Sequence, residues 1–111
     1  MSEAIERRLE ELRSLAKQYA KDYAQMGYLE EFKKSKLAIL MKDAERKGFT
    51  TAAAQEREAR AHEDYLALLE GLKEATERSE AARWELRIAE MGAELWRTQQ
   101  ATLRAERKGY S

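Results

Sequence analysis

Apolar residues in the first quarter of the chain recur at the spacing that places them on one face of an α-helix. The intervals alternate between four and three residues, and the members are Ile5, Leu9, Leu12, Ala16, Tyr19, Tyr23 and Met26. Residues at such intervals lie on one side of a helix, where they pack against a neighbour. We therefore predict a first helix over residues 3–47. Gly27 is a candidate bend in it, because glycine is unfavourable inside a helix.

The later part of this helix carries a broader apolar face. Its members are Leu29, Phe32, Leu37, Leu40 and Ala44. Lys33 and Lys36 fall on the same face, and two interpretations of them stay open. Their aliphatic stems can cover apolar surface while the ammonium groups reach water. Alternatively, they join neighbouring cations in a strip that attracts phosphate groups.

A turn is predicted over residues 48–51. Basic residues end the first helix, Gly48 suits the left-handed position that follows a helix, and Thr50 or Thr51 can cap the next one. A connection this short makes two long helices antiparallel neighbours.

A second helix is predicted over residues 51–108, with Gly71 as a candidate bend. From residue 65 to residue 103, twelve consecutive heptad positions carry no charge, although the chain around them is rich in charge. They are Tyr65, Leu68, Leu72, Ala75, Ser79, Ala82, Leu86, Ala89, Ala93, Trp96, Gln100 and Leu103. We expect this seam to hold the two helices together. The side chains expected to make the main intramolecular contacts are Tyr65, Leu68, Leu72, Leu86 and Trp96.

The C-terminal half of the second helix is apolar on a second side as well. At about 100° per residue, this second face lies opposite the seam. Its members are Trp84, Ile88, Met91 and Leu95. A helix that is apolar on two sides needs two partners, so either the chain folds back at Gly27 or Gly71, or another copy covers the face. We expect another copy, and these four residues are the predicted oligomer interface.

Together these patterns predict an all-α protein. Residues 1–111 would form one domain, an elongated antiparallel helical hairpin of the coiled-coil type that assembles into a helical oligomer. Composition agrees, since proline is absent and 38% of residues are charged, against about 25% in an average globular domain.

Composition also restricts the setting and the chemistry. The chain has no cysteine, which excludes a disulfide framework and a thiolate metal site. No apolar run is long enough to cross a membrane, and residues 1–12 lack the hydrophobic segment of a signal peptide. We therefore expect a cytoplasmic protein without membrane contact.

Catalytic chemistry has little support in the sequence. The one histidine, His62, stands in a polar setting beside Glu63 and Asp64. There is no glycine-rich phosphate loop and no Ser-His-Asp set, and Ser14, Ser35 and Ser79 lie in the middle of predicted helices. We expect no enzymatic activity, no catalytic residue, no metal site and no cofactor.

The formal net charge is zero, but the charges are segregated. Residues 33–48 hold six basic and two acidic groups, and residues 97–111 hold four and one. Part of this pattern suits the helix dipole, which favours bases late in a helix. The same cations could neutralise phosphates while Tyr28, Phe49 or Tyr110 stack on unpaired bases. The candidate nucleic-acid-binding residues are Lys33, Lys34, Lys36, Lys42, Arg46, Lys47, Arg97, Arg104, Arg107 and Lys108.

The second half of the chain resembles small helical proteins that are encoded in bacteriophage early regions beside recombination genes. The residues that carry the resemblance are Tyr65, Leu68, Leu69, Leu72 and Ala75, then Trp96, Arg97 and the run from Ala101 to Arg104. The order of helical blocks is also distantly similar to phage recombination mediators of the UvsY type. That resemblance implies an oligomer that binds single-stranded DNA and helps to load a recombinase in the presence of single-strand-binding protein, in the host cytoplasm. The alternative is a helical adaptor or inhibitor that binds a host or phage protein through its exposed apolar face.

Overall fold

The computed structural model describes residues 3–109, and helices make up 94% of them. Three helices follow one another: α1 (Glu3–Arg46), α2 (Ala52–Ala61) and α3 (Glu63–Gly109). No strand occurs between residues 3 and 109. The prediction of an all-α protein is therefore confirmed for this part of the chain. Tyr110, one of the aromatic residues considered for stacking, lies outside the described residues.

The chain divides into two compact units, each built from two segments that are distant in sequence. The terminal unit contains residues 3–20 of α1 and residues 80–109 of α3. The central unit runs from Lys21 to Ser79 and contains the rest of α1, the turn, α2 and the start of α3. One domain for residues 1–111 stays a prediction.

The turn between α1 and α2 follows the chemistry of its glycine and threonine. Gly48 has a φ of 108°, which glycine adopts at little cost. The Phe49 N–H donates to the Ala44 carbonyl at 3.2 Å and the Gly48 N–H to the Glu45 carbonyl at 3.1 Å, the pair of bonds that closes a helix in a Schellman motif. The Thr51 hydroxyl then accepts from the Ala54 N–H at 3.1 Å and caps α2.

The predicted second helix over residues 51–108 is interrupted, and the prediction of one continuous helix there is wrong. The break lies at His62, which adopts an extended conformation (φ −68°, ψ 138°), whereas α1 passes through Gly27 and α3 through Gly71 as helix. His62 itself supplies the caps at the break. Its N–H donates to the Ala59 carbonyl, its carbonyl accepts from Tyr65 and Leu66, and its Nδ1 accepts from the Asp64 N–H at 3.0 Å. Because these backbone groups are satisfied, the interruption costs little.

The central unit has a small apolar core. Leu40 of α1, Ala59 of α2 and Tyr65 of α3 are buried together, with Leu37 and Met41 packed against them. Ala44, Ala75 and Ser79 are also buried. At the edge of this core, Lys36 Nζ lies 3.6 Å from Asp64 Oδ2. Within this unit α1 is therefore packed directly against the chain that follows the turn.

In the terminal unit the segment of α1 runs antiparallel to the segment of α3. The Arg8 guanidinium lies over the Trp96 ring, 4.9 Å from its centroid. One helical turn later, Leu12 lines the same groove as Met91 and Leu95. Ala82 is the one buried residue among those described in this unit. The two segments thus cover each other's sides without enclosing a core.

The packed face of α1 is rotated from the predicted one. Leu9, Ala16 and Tyr23, alternate members of the apolar face predicted for the first quarter of the chain, are exposed. The half-buried positions beside them are Arg8, Leu15 and Asp22. Arg8 and Asp22 are charged and therefore did not belong to a face defined by apolar residues, although Arg8 enters the packed face through its contact with Trp96. Leu15 is apolar but falls outside the predicted spacing of four and three residues.

None of the helices described between residues 3 and 109 contains a stretch long and apolar enough to span a bilayer.

Candidate functional site

One exposed face of α1 in the central unit carries no acidic residue over eight consecutive heptad positions. These positions follow one another at intervals of four and three residues, and all eight are exposed. They are Lys21, Gln25, Tyr28, Phe32, Ser35, Ile39, Lys42 and Arg46. We call this set the α1 outer face. In a chain in which 38% of residues are charged, a face that holds only cations, aromatics and neutral groups is a distinct chemical surface.

Two aromatic side chains lie at the middle of the α1 outer face. Tyr28 and Phe32, one helical turn apart, stack with their ring centroids 5.9 Å apart and their planes 10° from parallel. Tyr28 is 61% exposed and Phe32 is 38% exposed, so the prediction that Phe32 belongs to the covered face with Leu29 and Leu40 is wrong. Stacking against each other stiffens the two rings but leaves much of their surface open to a ligand.

The cations of the α1 outer face have no acidic partner among the residues that the structure describes. Lys21, Lys42 and Arg46 are exposed and take part in no ion pair within residues 3–109. Their positive charge is therefore not neutralised locally, which is the condition under which a cation contributes fully to binding an anion.

Four other cations of the predicted binding set are placed differently. Lys34 Nζ lies 3.1 Å from Glu31 Oε1, and Lys47 Nζ lies 3.1 Å from Asp43 Oδ2. Lys36 pairs with Asp64 and is largely covered, and Lys33 is half-buried. Lys33 and Lys36 are thus partly covered, as the first of the two interpretations proposed for them describes, whereas Lys34 and Lys47 are exposed and paired with acids.

The C-terminal cations belong to the terminal unit. Arg97 donates to Glu94 Oε2 at 2.8 Å, whereas Arg104 and Arg107 are exposed and have no ion pair within the described part of the chain. Lys108 is exposed as well. The structure therefore distributes the predicted nucleic-acid-binding residues over two units.

The α3 outer stripe, defined as Trp84, Ile88, Met91 and Leu95, is open to solvent. The four side chains are 51%, 60%, 52% and 68% exposed. The Arg83 guanidinium lies 5.1 Å from the Trp84 ring centroid and shields part of that ring. On the opposite side of α3, ten of the twelve predicted seam residues are buried or half-buried, whereas Gln100 and Leu103, predicted as its last members, are exposed. The buried members are Tyr65, Ala75, Ser79 and Ala82, and the half-buried members are Leu68, Leu72, Leu86, Ala89, Ala93 and Trp96.

The described residues hold no cluster suited to a metal ion. No group of three or more histidine, cysteine, aspartate or glutamate side chains converges within residues 3–109. His62 Nδ1 is engaged by the Asp64 N–H. A hydrogen bond to Glu56, together with the charge of that carboxylate, raises the pKa of Arg60 above its usual value, so this arginine stays a cation.

Sequence reasoning missed Lys21, Gln25, Ser35 and Ile39 as members of an exposed surface. The prediction used the spacing of apolar residues and the runs of cations, and it did not use the absence of acidic residues. A search for heptad positions without Asp or Glu would have found the face from residue 21 to residue 46 directly.

Comparison with protein-family models, with curated proteins and with solved structures finds no match for this chain. The likeness to phage recombination proteins therefore stays a prediction from the sequence. The two exposed faces are the features from which function is inferred.

Proposed function

We propose that this chain is a non-enzymatic protein that binds single-stranded DNA through the α1 outer face. The observation that carries the proposal is the stacked, exposed pair Tyr28 and Phe32 on the same face as the unpaired cations Lys21, Lys42 and Arg46. Proteins that bind single strands combine these two features, since cations follow the phosphates and aromatic rings stack on bases.

The arrangement of the face favours a single strand over a duplex. The aromatic pair lies between cations, with Lys21 on one side and Lys42 and Arg46 on the other, over about 38 Å of helix. Bases can reach exposed rings only when they are not paired and stacked with each other. The predicted C-terminal cations Arg104 and Arg107 would add further phosphate contacts.

Self-association and a role in phage recombination complete the proposal. In this proposal each copy is a helical hairpin. The open α3 outer stripe supports self-association of these copies, because an apolar stripe of this kind favours burial. Several copies on one strand would raise the overall affinity without a strong local site. The setting, as an accessory protein that assists a recombinase beside single-strand-binding protein, rests on the resemblance described above.

The test is binding of a fluorescently labelled oligothymidine at a series of salt concentrations. We expect binding that weakens with salt, and a smaller salt slope for Lys42→Gln/Arg46→Gln. Loss of two phosphate contacts should reduce the slope of log K against log salt by about 1.4. Tyr28→Ala/Phe32→Ala should weaken binding at all salt concentrations, by about 1–3 kcal/mol for each stacked base.

Matched control variants distinguish binding at the α1 outer face from a general effect of the positive charge of the protein. Lys34→Gln/Lys47→Gln removes the same charge at two cations that are already paired with acids, so its salt slope should stay close to that of the wild type. Tyr23→Ala removes an exposed tyrosine that lies off the face. Absence of binding at low salt, or equal losses in variant and control, contradicts the proposal.

The second candidate is a helical adaptor that binds another protein. The α3 outer stripe favours it, since an amphipathic helix can dock such a face into a partner's groove. An adaptor would retain binding to its protein partner in the Lys42→Gln/Arg46→Gln variant, and it would show no salt-dependent binding of oligothymidine.

A further inference from the structure

The terminal unit lacks the buried core that the central unit has. Among its described residues Ala82 is buried, while the large apolar side chains of the α3 outer stripe are more than half exposed. A segment pair with so little internal burial gains much from covering an apolar stripe. The charges that flank the stripe indicate which protein surface would cover it.

We propose that the α3 outer stripe packs against the same stripe of a second copy, with the two α3 helices antiparallel. This inference deepens the self-association in the proposed function. The stripe has the spacing of a coiled-coil heptad, in which Trp84 and Met91 take the d positions and Ile88 and Leu95 take the a positions. In an antiparallel pair Trp84 then packs against Leu95 of the second copy and Ile88 against Met91 of the second copy. Each contact occurs twice, because a twofold interface is isologous.

The flanking charges are complementary in this orientation. Arg87 directly precedes Ile88, and Glu94 directly precedes Leu95. Both charged residues therefore take the heptad position g and flank the stripe on the same side. Antiparallel packing places Arg87 of each copy beside Glu94 of the other, giving two ion pairs. Arg87 is free for this contact because it has no ion pair within residues 3–109. Glu94 already bonds to Arg97, so the contact would complete a three-membered charge cluster.

On the other flank, which holds Glu85 and Gly92, carboxylates of the two copies stay apart only when the helices are antiparallel. There, Glu85 of one copy faces Gly92 of the other. In a parallel pair Glu80 would instead lie beside Glu85 of the other copy, and the two carboxylates would repel each other. Gly92 also has nothing within 4 Å of where a Cβ would stand. The position is therefore open, and the absence of a side chain leaves room for a second helix to approach closely.

A charge-swap cycle tests the orientation. Arg87→Glu and Glu94→Arg should each weaken the dimer about tenfold, since each replaces two attractive pairs by two repulsive ones. The double variant Arg87→Glu/Glu94→Arg restores opposite charges across the interface and should regain most of the lost affinity. Sedimentation equilibrium measures the dissociation constant. A double variant as weak as the sum of its two single changes overturns the proposal.

Disulfide trapping supplies a second, independent test, because the chain has no cysteine of its own. In the antiparallel pair residue 84 faces residue 95 of the other copy, whereas the two copies of residue 84 are about 16 Å apart along the axis. A disulfide needs Cα atoms within about 7 Å. We expect a cross-linked dimer when Trp84→Cys and Leu95→Cys are mixed and oxidised, and none from either variant alone.

The outcomes distinguish this inference from DNA binding. Cross-linking of each variant with itself indicates parallel helices and overturns the inference, as does a wild-type chain that stays monomeric at high concentration. A monomer that still binds oligothymidine would overturn the inference while leaving the α1 outer face as the DNA site. A dimer with the expected cross-link that binds no DNA would support the inference and overturn the proposed function.

Discussion

The central and terminal units differ in where they bury apolar surface. Of the seven buried residues between positions 3 and 109, six lie in the central unit, where Leu40, Ala59 and Tyr65 form a core, and only Ala82 lies in the terminal unit. Both units nevertheless expose a complete helix face. The face of the central unit holds cations and aromatic rings without acids, and that of the terminal unit is an apolar stripe between charges of both signs.

This difference shows that exposure by itself does not identify a partner. An apolar stripe with complementary flanking charges suits a second protein helix, since burial supplies affinity and the charges supply orientation. A face with cations and open rings, but no acids, suits a strand of phosphates and bases. We therefore propose self-association for the terminal unit and DNA binding for the central unit, and three pairs of variants test that division.

The largest effect is expected from a charge placed on either face. Trp84→Glu should convert the dimer to a monomer of 12.9 kDa, because each interface would then bury two carboxylates against apolar side chains. Ile39→Glu makes the same kind of change on the α1 outer face, where the side chain is 56% exposed. It should leave the mass unchanged and weaken the binding of oligothymidine. Light scattering measures the mass, and fluorescence anisotropy measures the binding.

The two variants serve as controls for each other. Far-ultraviolet circular dichroism should show that both remain helical, since neither position is buried. If Ile39→Glu also dissociated the dimer, or if Trp84→Glu kept its mass, self-association would not belong to the stripe on α3.

A substitution in the core should show that the stability of the central unit depends on its buried side chains. Tyr65 is 4% exposed, and its neighbour Leu66 is 51% exposed. Loss of a large buried aromatic side chain costs about 3–5 kcal/mol, so Tyr65→Ala should destabilise the central unit strongly, whereas Leu66→Ala should cost less than about 1 kcal/mol. Hydrogen exchange measures the difference for each amide. Equal losses of protection in the two variants would show that the central unit has no core of its own.

The class of fold follows from the sequence because helix periodicity, the absence of proline and the turn chemistry agree. Gly48 and Thr51 act at the turn as their side chains predict. The break at His62 was not predictable in this way, since histidine is not a typical cap and the nearby Gly71 is the residue that usually marks a weak point.

The choice of which side of α1 is covered shows a second limit of prediction from the sequence. Apolar periodicity identifies residues that prefer burial, but α1 has more of them than its neighbours cover. Which of them are covered depends on contacts between elements, such as Arg8 with Trp96. For this reason Phe32 and Leu9 were predicted on the covered side and lie exposed.

The smallest effect is expected at the break itself. His62→Ala removes the ring nitrogen that accepts from the Asp64 N–H at 3.0 Å, and the loss of such a cap costs about 0.5–1 kcal/mol. His62→Asn keeps an acceptor at this position and should recover most of the loss. Because Asp64 also pairs with Lys36, faster exchange at the start of α3 should extend to the contact with α1. Amides of the terminal unit should keep their exchange rates in both variants. If they changed as much as those of the central unit, the two units would open together, and the division on which the assignment of functions rests would fail.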